Sequence, residues 1–495
     1  MKASVFSNLS KICTVLVTVA ASVFFCMMLV AQVCVTMPHL AWCAYYAVVV
    51  SLTWIFLEFG ERNLGRWFSR CEIWLLVFAC LAVHRAMIAW LPEFGQVGMS
   101  APGDSRAALM ALESGRICHM HLARELDWSN YEVLISALGA LWSRTLAFGQ
   151  MLNGVCHAMV LLPIYFMSRK VGGKAVARLT AILVAFSPVV IVYSALLACE
   201  CLSSMLLCYA AFFFLRAVDD EQPYGKLALS AAMCGTFLGL SHLFRGIGIV
   251  FKFAAAACLV LWVMRKVGME RAKRALMVFC VIIGCQSITL FVGQRSISAL
   301  AGDVEQPVVA DGKPAESLIV YELLIGLDVQ HDGMFSSDFV KRLRRWDEPE
   351  RERQLRAAVK RDWRKYPKLM ARKFCNIHGS HACPAGAVSH FSIMMRDFPR
   401  KEGGRYVSPR ICLLADNGSF VLRILLLLGA FGMFFTARKS FSQALPGVFS
   451  MLVILEFAFI EQLIEGHGRY KVAVYPFYFM AVPYIIAWRK SSDHE

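Results

Sequence analysis

Charged residues are scarce in this sequence. They make up 17% of its 495 residues, whereas soluble domains carry about a quarter. Hydrophobic residues make up 58%, and apolar runs of about 20 residues recur, each long enough to cross a hydrocarbon core of about 30 Å as a helix. The shortage of charge excludes an ordinary soluble domain and predicts a polytopic membrane protein.

The sequence also lacks a separate basic domain, repeats at solenoid spacing and low-complexity tracts. Its net charge is +16, but its Lys and Arg residues flank the apolar runs, where positive charge marks the cytoplasmic side of a membrane. We therefore expect no nucleic-acid partner. The first apolar run, near residues 12–35, is too long for the hydrophobic part of a cleavable signal peptide and is expected to span the membrane.

Apolar length predicts an all-α polytopic membrane protein with about 12 transmembrane helices. These spans are expected near residues 12–36, 41–58, 73–92, 146–167, 178–196, 199–216, 226–243, 247–264, 275–294, 419–437, 443–463 and 472–488. With the N-terminus in the cytoplasm, every short basic cluster between spans falls on the cytoplasmic side. This pattern predicts a multi-pass protein of the cytoplasmic (plasma) membrane with both termini in the cytoplasm.

Two polar segments are too long to be simple connectors, and both fall on the outer side. They are residues 93–145, between spans 3 and 4, and residues 295–418, between spans 9 and 10. Loops of this length are usually functional or form a domain. The expected organisation is two additional N-terminal helices (1–60), a transmembrane core with the first external loop (61–294), an external loop domain (295–418), and C-terminal helices with a cytoplasmic tail (419–495).

The second external segment contains a charged helical stretch at residues 337–374. Its larger apolar residues recur at spacings near four, namely Trp346, Leu355, Val359, Trp363 and Met370. This spacing predicts an amphipathic helix, or a pair of helices, on the membrane surface. A solvated basic helix without a ligand is the alternative.

Most of the 18 cysteines lie inside apolar spans, where a thiol acts as a small hydrophobic group. One cluster, from Cys375 through His378 and His381 to Cys383, lies in the second external segment. Thiols oxidise on the outer side of a membrane, so a Cys375–Cys383 disulfide is favoured. A zinc site is the alternative, although the spacing fits no common zinc finger.

Charged groups beside membrane spans are costly and are therefore functional candidates. On the outer side the candidates are Asp104, Arg106, Glu200, His242, Arg245, Glu461, Glu465, His467, Arg469 and Lys471. Sugar transfer from a lipid phosphate needs a base for the acceptor hydroxyl and positive charge for the leaving phosphate. Arginine suits the second task because its planar fork makes paired bonds to phosphate.

Each candidate also has a structural interpretation. Asp104 follows Pro-Gly and is placed to cap a helix over residues 105–113. Glu200 can pair with a nearby cation and serve only packing, and His242 can be an interfacial histidine. The three cations Arg245, Arg469 and Lys471 can be interfacial anchors.

Four motifs carry a family resemblance. They are Pro102 to Gly115; Phe148-Gly-Gln-Met-Leu-Asn153 continuing to Ser168-Arg-Lys-Val-Gly-Gly173; Phe186-Ser-Pro188 followed by Tyr193-Ser194 and Cys199-Glu200; and Glu465-Gly-His-Gly-Arg469-Tyr470 followed by Pro476. In this order the chain resembles the GT-C class of membrane glycosyltransferases, in particular the protein O-mannosyltransferase and lipid A aminoarabinose transferase group. The resemblance covers most of residues 73–490, and the first two spans look like an addition to it.

The resemblance implies a GT-C fold, a polyprenyl-phosphate sugar donor, inversion at the anomeric carbon and Asp104 as the catalytic base. It implies that Arg245 and Arg469 face the donor phosphate, with Lys471 beside them. Positioning of donor or acceptor is expected from Glu200, His242, Tyr470 and Arg106. Many relatives have two adjacent acids in the first motif, whereas Ser105 follows Asp104 here, so a bound metal is not favoured and no cofactor is expected.

The leading hypothesis is therefore a glycosyltransferase that moves one sugar from a polyprenyl-phosphate carrier to a glycan, lipid or protein acceptor at the outer face of the cytoplasmic membrane. The nearest alternative is a ligase or polymerase of the O-antigen type, which would transfer a whole lipid-linked glycan. A 12-span transporter or lipid flippase would show matching halves and broken helices at the midplane, and the sequence halves do not match. A non-catalytic scaffold protein is a further alternative.

Overall fold

The computed structural model describes residues 2–35, 40–90, 108–109, 111–113, 126–219, 222–265, 268–301, 318–330, 339, 343, 346, 348–378, 409–463 and 473–485. Within these ranges the regular structure is helical and no strand occurs. The prediction of an all-α membrane protein is therefore confirmed.

The first nine helices build most of the bundle. They are α1 (Lys2–Val35), α2 (Leu40–Trp90), α3 (Leu126–Leu141), α4 (Leu146–Ala185), α5 (Pro188–Tyr193), α6 (Glu200–Ala217), α7 (Tyr224–Phe244), α8 (Gly248–Arg265) and α9 (Met269–Ala301). Six more follow, namely α10 (Leu318–Gly326), α11 (Glu348–Asp362), α12 (Tyr366–His378), α13 (Pro409–Lys439), α14 (Phe441–Leu463) and α15 (Tyr475–Tyr478). Short 3₁₀ turns at Trp363–Lys365 and Phe479–Ala481 complete the described elements.

Two of these helices are too long to cross a membrane once. Helix α2 has 51 residues and α4 has 40, and each is broken at a glycine with positive φ, 63° at Gly65 and 80° at Gly173. In a straight helix Glu58 and Glu72 would lie about 21 Å apart along the axis, yet both carboxylates contact Arg178. The break at Gly65 therefore folds the two arms of α2 back towards each other.

Eight helical segments in the described part of the chain are long and apolar enough to span a membrane. They are Leu9–Met28, Cys71–Ala89, Leu146–Ile191, Glu200–Ala217, Tyr224–Phe244, Gly248–Arg265, Met269–Leu300 and Ser442–Ile460. The segment Leu146–Ile191 unites the predicted spans at 146–167 and 178–196, which Gly173 separates. A shorter apolar helix, Val421–Ala437, matches the predicted span at 419–437.

Contacts between distant helices sort the bundle into two ends. The hydroxyl of Ser10, early in α1, donates to the carbonyl of Leu261, late in α8. Towards the other end of α1, the carbonyl of Met28 accepts from Arg423, early in α13. We call the end that holds Met28, the start of α6 and the end of α7 the site end. The end that holds Ser10 and Leu261 is called the opposite end.

Small residues let the helices approach closely, as is common where helices pack inside a membrane. A Cβ atom added to Gly239 of α7 would lie 2.8 Å from the Cβ of Thr289 in α9. A Cβ atom at Gly447 of α14 would lie 2.5 Å from the ring of Tyr484. The Tyr484 hydroxyl accepts from the Gly447 backbone N–H at 2.8 Å and donates to the Gln443 carbonyl at 2.8 Å. These bonds attach the segment around Tyr484 to α14.

The predicted helical stretch at 337–374 contains a pair of helices, α11 and α12, joined by a 3₁₀ turn. Trp346 and Leu355 pack against a small core around Leu343 and Ile325. Val359 and Trp363 are 43% and 59% exposed. The placement of these exposed residues on a membrane surface stays a prediction.

Helix α12 is tied to the site end by a buried lysine. The Nζ of Lys373 donates to the carbonyl of Gln462, near the end of α14, at 2.8 Å, and to that of Gly326, at the end of α10, at 3.1 Å. Cationic donors at helix C-termini are favoured by the helix dipole. The neighbouring Phe374 packs edge-to-face on Phe24 of α1, so this part of the second external segment rests on the bundle.

Candidate functional site

A buried ion pair marks the site end. Glu200 opens α6 and is fully buried, and its Oε1 accepts from Nη1 of Arg245 at 2.8 Å. The first turn of a helix favours a carboxylate, because its unpaired N–H groups carry partial positive charge. Arg245 follows the last turn of α7, where its backbone is extended and its N–H bonds to the carbonyl of Ser241. The side chain of Arg245 is 11% exposed, so the pair lies just below the surface.

Two serines hold the helices together about one turn below this pair. The hydroxyls of Ser203 in α6 and Ser241 in α7 lie 2.8 Å apart, and both side chains are buried. Nη1 of Arg245 also lies 3.8 Å from Sγ of Cys199. The start of α6 and the end of α7 are therefore held in one register, with the charged pair above.

The backbone that leads into Glu200 is not helical. Residues 194–199 form turns and irregular chain between α5 and α6, and all six are buried. Irregular backbone at membrane depth is tolerated only where the protein itself satisfies its polar groups. The side-chain amide of Gln150 donates to the carbonyl of Ala195 at 3.0 Å, and that of Asn153 donates to the carbonyls of Ser194 and Leu196 at 3.2 and 2.6 Å.

The described part of the first external loop packs beside the same segment. Ala108, Leu109 and Leu112 are buried in one apolar cluster, which also holds Leu197, Cys199, Leu243 and Phe244. Leu112 fits between two glycines, Gly139 of α3 and Gly149 of α4, and a Cβ atom at Gly149 would lie 3.2 Å from it and 2.6 Å from Leu197. The loop therefore meets the bundle next to the Glu200–Arg245 pair.

Helix α3 lies within the predicted external loop at residues 93–145 and borders the same region. The side-chain amide of Asn130 donates to the carbonyl of Leu243, in the last turn of α7, at 2.7 Å. The hydroxyl of Tyr131, one residue later, lies 3.5 Å from Oδ1 of Asn153. The first external loop, residues 93–145, is called loop one below. The buried residues of its described part and its helix α3 thus meet α4 and the end of α7 at the site end.

His242 is partly buried and lies three residues before Arg245 on α7. A Cβ atom at Gly248 would lie 3.4 Å from its Nδ1, which places the ring beside the turn into α8. Of the predicted site residues, the structure therefore brings Glu200, His242 and Arg245 together.

The remaining predicted site residues lie outside the described part of the chain. They are Asp104, Arg106, Arg469, Tyr470 and Lys471. Cys383 is also outside it, and the side chain of Cys375 is not described, so the predicted disulfide stays a prediction. The roles assigned to all of these residues stay predictions.

The described site combines features that suit a charged lipid headgroup. Glu200 and Arg245 compensate each other's charge in a buried position. Nη1 of Arg245 donates to the carboxylate of Glu200 at 2.8 Å. A carboxylate that orients an arginine in this way holds the guanidinium ready for an anion that approaches from the mouth of the site.

The sequence predicted that Glu200 and Arg245 lie on the same side of the membrane. It did not predict the irregular segment at 194–199 that leads into Glu200. It predicted a span ending near 196 and another starting near 199, with no broken segment between them. The signal was present in Gln150 and Asn153, two amide side chains within an apolar span. Polar side chains at that depth are stable when they hydrogen-bond to backbone groups that lack a partner. Here the two amides donate to the carbonyls of residues 194–196.

Comparison with protein families matches a central segment of the chain. Residues 134–288 match the family of dolichyl-phosphate-mannose-protein mannosyltransferases. The matched segment includes α4 to α8, and with them Gln150, Asn153, Glu200 and Arg245. The resemblance to the GT-C mannosyltransferase group that the motifs predict is thereby confirmed.

Three solved structures show a weaker likeness. The apo oligosaccharyltransferase of Archaeoglobus fulgidus has a TM-score of 0.40 and 14% identity, over 86% of this chain and 51% of that one. AglB from the same organism, in complex with an inhibitory peptide and a dolichol-phosphate, has a TM-score of 0.38 and 13% identity, over 86% and 51%. ArnT from Cupriavidus metallidurans, bound to undecaprenyl phosphate, has a TM-score of 0.36 and 10% identity, over 85% and 79%.

This chain thus spans about half the length of the archaeal oligosaccharyltransferases. With TM-scores below 0.5, these likenesses carry no weight for its function. Comparison with curated proteins gives no match.

Proposed function

We propose that the chain is a GT-C membrane glycosyltransferase that transfers one sugar from a polyprenyl-phosphate donor to an acceptor hydroxyl. The observation that carries this proposal is the buried Glu200–Arg245 pair. Both residues belong to the segment that matches the mannosyltransferase family, and the pair lies beside the described residues of loop one. The acceptor is a glycan, lipid or protein at the outer face of the cytoplasmic membrane.

Asp104 is the proposed catalytic base, and chain geometry supports its nearness to the pair. It precedes Ala108 by four residues, and each residue extends the backbone by at most about 3.6 Å. The Cα of Asp104 is therefore at most about 14 Å from that of Ala108. Ala108 is buried in the cluster that contains Cys199 and Leu243, which adjoin Glu200 and precede Arg245 respectively.

In the proposed reaction the Asp104 carboxylate takes the proton of the acceptor hydroxyl. The acceptor oxygen forms a bond to the anomeric carbon as the bond from that carbon to the phosphate oxygen breaks. A single in-line displacement of this kind inverts the anomeric configuration. The products are the glycosylated acceptor, the polyprenyl phosphate and a protonated Asp104.

Arg245, Arg469 and Lys471 are proposed to bind the donor phosphate and stabilise the charge that develops on it. Glu200 holds Arg245 in place, and His242, Tyr470 and Arg106 position the donor or the acceptor. The irregular chain at 194–199 forms the floor of this site. We propose that the site opens to the outer face, with both chain termini in the cytoplasm.

Proteoliposomes supplied with a radiolabelled polyprenyl-phosphate sugar test the proposal. Asp104→Asn is expected to lower the transfer rate by about 10²- to 10⁴-fold, the usual contribution of a catalytic base. Glu113→Gln is the matched control, because it removes an exposed carboxylate of the same loop and is expected to leave the rate unchanged.

Equal labelling by Asp104→Asn and the wild type would exclude Asp104 as the base. Transfer of a whole glycan from a diphosphate-linked donor, but not of a single sugar, would favour a ligase instead. Transbilayer movement of the lipid without any transfer would indicate a flippase.

A further inference from the structure

Three side chains with metal-binding atoms meet inside the bundle, away from the Glu200–Arg245 pair. Cys80 and His84 lie on the second arm of α2, and His157 lies on α4. All three are buried, and their ligand atoms lie within 4.8 Å of one another. Nε2 of His84 lies 2.9 Å from Nδ1 of His157, and Sγ of Cys80 lies 3.7 Å from the same nitrogen.

In each imidazole ring, the nitrogen that faces away from the other histidine lies within hydrogen-bond distance of an oxygen atom. These nitrogens are Nε2 of His157 and Nδ1 of His84. Nε2 of His157 lies 2.8 Å from the carbonyl of Val184, which can only accept, so this nitrogen carries a hydrogen. Nδ1 of His84 lies 3.0 Å from the hydroxyl of Ser194. That hydroxyl also lies 2.7 Å from the carbonyl of Ile191, so its single hydrogen points either to that carbonyl or to His84.

When this hydrogen points to Ile191, Ser194 accepts from His84, and Nδ1 of His84 carries the hydrogen of that ring. The two inner nitrogens, Nε2 of His84 and Nδ1 of His157, are then lone-pair atoms that face each other at 2.9 Å. With the other hydrogen position Nε2 of His84 donates to Nδ1 of His157 and the metal-free pair is satisfied, whereas this one calls for a cation between the two lone pairs. A proton in that place would create a buried imidazolium, which is costly without a paired anion.

The same arrangement is typical of metal-binding histidines. Such a histidine donates its other ring N–H to a carbonyl or another oxygen, which sets the ring orientation and leaves the inner nitrogen as ligand. Metal–nitrogen bonds of about 2.0–2.1 Å hold two nitrogens about 3.3–3.5 Å apart. The inner nitrogens would thus move apart by about half an ångström on binding.

A glycine on α4 allows the imidazole rings of His84 and His157 to approach each other. Gly154 lies on α4, three residues before His157, and a Cβ atom there would lie 2.9 Å from Cγ of His84 and 3.0 Å from its Cβ. The imidazole of His84 can therefore approach α4 only because residue 154 has no side chain. The two rings meet at a 90° angle with centroids 5.2 Å apart.

We propose that Cys80, His84 and His157 bind one soft transition-metal ion, and that this ion is Cu(I). Thiolate and imidazole are the ligands that soft metals select. Binding releases the proton of the Cys80 thiol, and a monovalent ion with one thiolate is neutral. A divalent zinc ion on the same three ligands would leave one positive charge at membrane depth, which is costly.

The bound ion would join three parts of the bundle, since the ligands and the groups that hold them come from α2, α4 and the end of α5. Ser194 also opens the irregular segment that leads to Glu200. The site therefore lies beneath the candidate active site and does not depend on the proposed transfer activity.

Metal binding by the purified full-length protein in detergent tests the proposal. The protein is reduced, stripped with a chelator, and titrated with Cu(I) against a coloured Cu(I) chelator, and its metal content is measured by mass spectrometry. The wild type is expected to bind one copper per chain, and X-ray absorption is expected to show one sulfur and two nitrogen ligands. Cys80→Ser and His84→Asn are expected to lose this copper.

Two further variants separate ligand loss from misfolding. Ser194→Ala keeps all three ligands but removes the hydroxyl that orients His84, so copper affinity is expected to fall by about 10- to 100-fold. Cys208→Ser changes a buried cysteine of α6 that is not part of the cluster and is expected to bind copper like the wild type.

Copper bound equally by the wild type and the Cys80 and His84 variants would overturn the site, as would an absence of bound metal in the wild type. Zinc at one per chain, lost in the same variants, would support the ligand set and overturn the choice of a monovalent ion.

Discussion

Each end of the bundle buries an arginine, but the two arginines have different surroundings. At the opposite end Arg178 is 2% exposed and meets the carboxylates of Glu58, Glu61 and Glu72 through both terminal nitrogens. The Nζ of Lys174 joins the same carboxylates, 3.3 Å from Glu72 and 2.5 Å from Glu61. At the site end Nη1 of Arg245 meets the carboxylate of Glu200 at 2.8 Å.

The difference separates a structural charge cluster from a site that can accept an anion. At the opposite end Arg178, Lys174 and Arg62 already pair with the three carboxylates, and the buried guanidinium of Arg178 is enclosed by these acids. The cluster joins the two arms of α2 to the second arm of α4 close to both glycine breaks, which is a structural task. At the site end the carboxylate of Glu200 holds a terminal nitrogen of Arg245 just below the surface, a setting that suits a guanidinium that binds an anion.

The largest effect is expected from removing the structural arginine. Arg178→Gln would leave the three carboxylates with Lys174 and the exposed Arg62 as their cationic partners, and breaking a buried ion pair costs about 3–5 kcal/mol. Thermal unfolding in detergent, followed by intrinsic fluorescence, measures the loss. Arg169→Gln is the matched control, since Arg169 is exposed on the same helix and a surface change costs within about 0.5 kcal/mol. Equal midpoints for the two variants would contradict a structural role for the cluster.

A double-mutant cycle at the site end sharpens the comparison. Glu200→Gln and Arg245→Gln each leave one charge of the pair uncompensated, and each is expected to cost about 2–3 kcal/mol of unfolding free energy. The double variant is expected to recover part of that stability, because neither charge remains.

Sugar transfer in the same variants separates stability from function. The double variant is expected to stay inactive, because the guanidinium that binds the phosphate is gone. Additive stability losses would mean that the two groups do not interact. Activity restored in the double variant would mean that Arg245 acts only in packing.

A smaller effect is expected from the glycine that seats the external loop. The methyl group of Gly149→Ala would meet Leu197 at 2.6 Å and Leu112 at 3.2 Å, and overpacking of this kind costs about 1–3 kcal/mol. Loop one is expected to shift, with a several-fold loss of transfer rate. Gly284→Ala is the control, because nothing lies within 4 Å of its added methyl group. Identical rates and midpoints in both variants would show that loop one is not held by this contact.

Much of the architecture could be predicted from the sequence. Apolar length located the helices, and the alternation of loops placed Glu200, His242 and Arg245 at one end. The structure also confirms that the stretch at 337–374 contains a pair of helices. Val359 and Trp363 are exposed on them, and their contact with a membrane surface stays a prediction.

Contacts between spans could not be predicted in the same way. Arg178 and Lys174 were expected to be flanking charges of a cytoplasmic loop, whereas the structure places them in a cluster with three glutamates. His84 and His157 were not considered at all, since they are 73 residues apart in the chain. Cys80 and His84 lie four residues apart and share a face of α2, but no local pattern links them to His157.

The sequence by itself determined that the chain is helical, that it crosses a membrane many times, and at which end each turn lies. These properties follow from the apolar length of each segment and the charges that flank it, and each segment can be evaluated without its neighbours. Only the tertiary structure decided which faces of the helices meet, and hence that Glu200 pairs with Arg245 and His84 with His157. The rotation of a helix about its axis and its choice of neighbours depend on close packing between side chains far apart in the chain, which hydropathy does not encode.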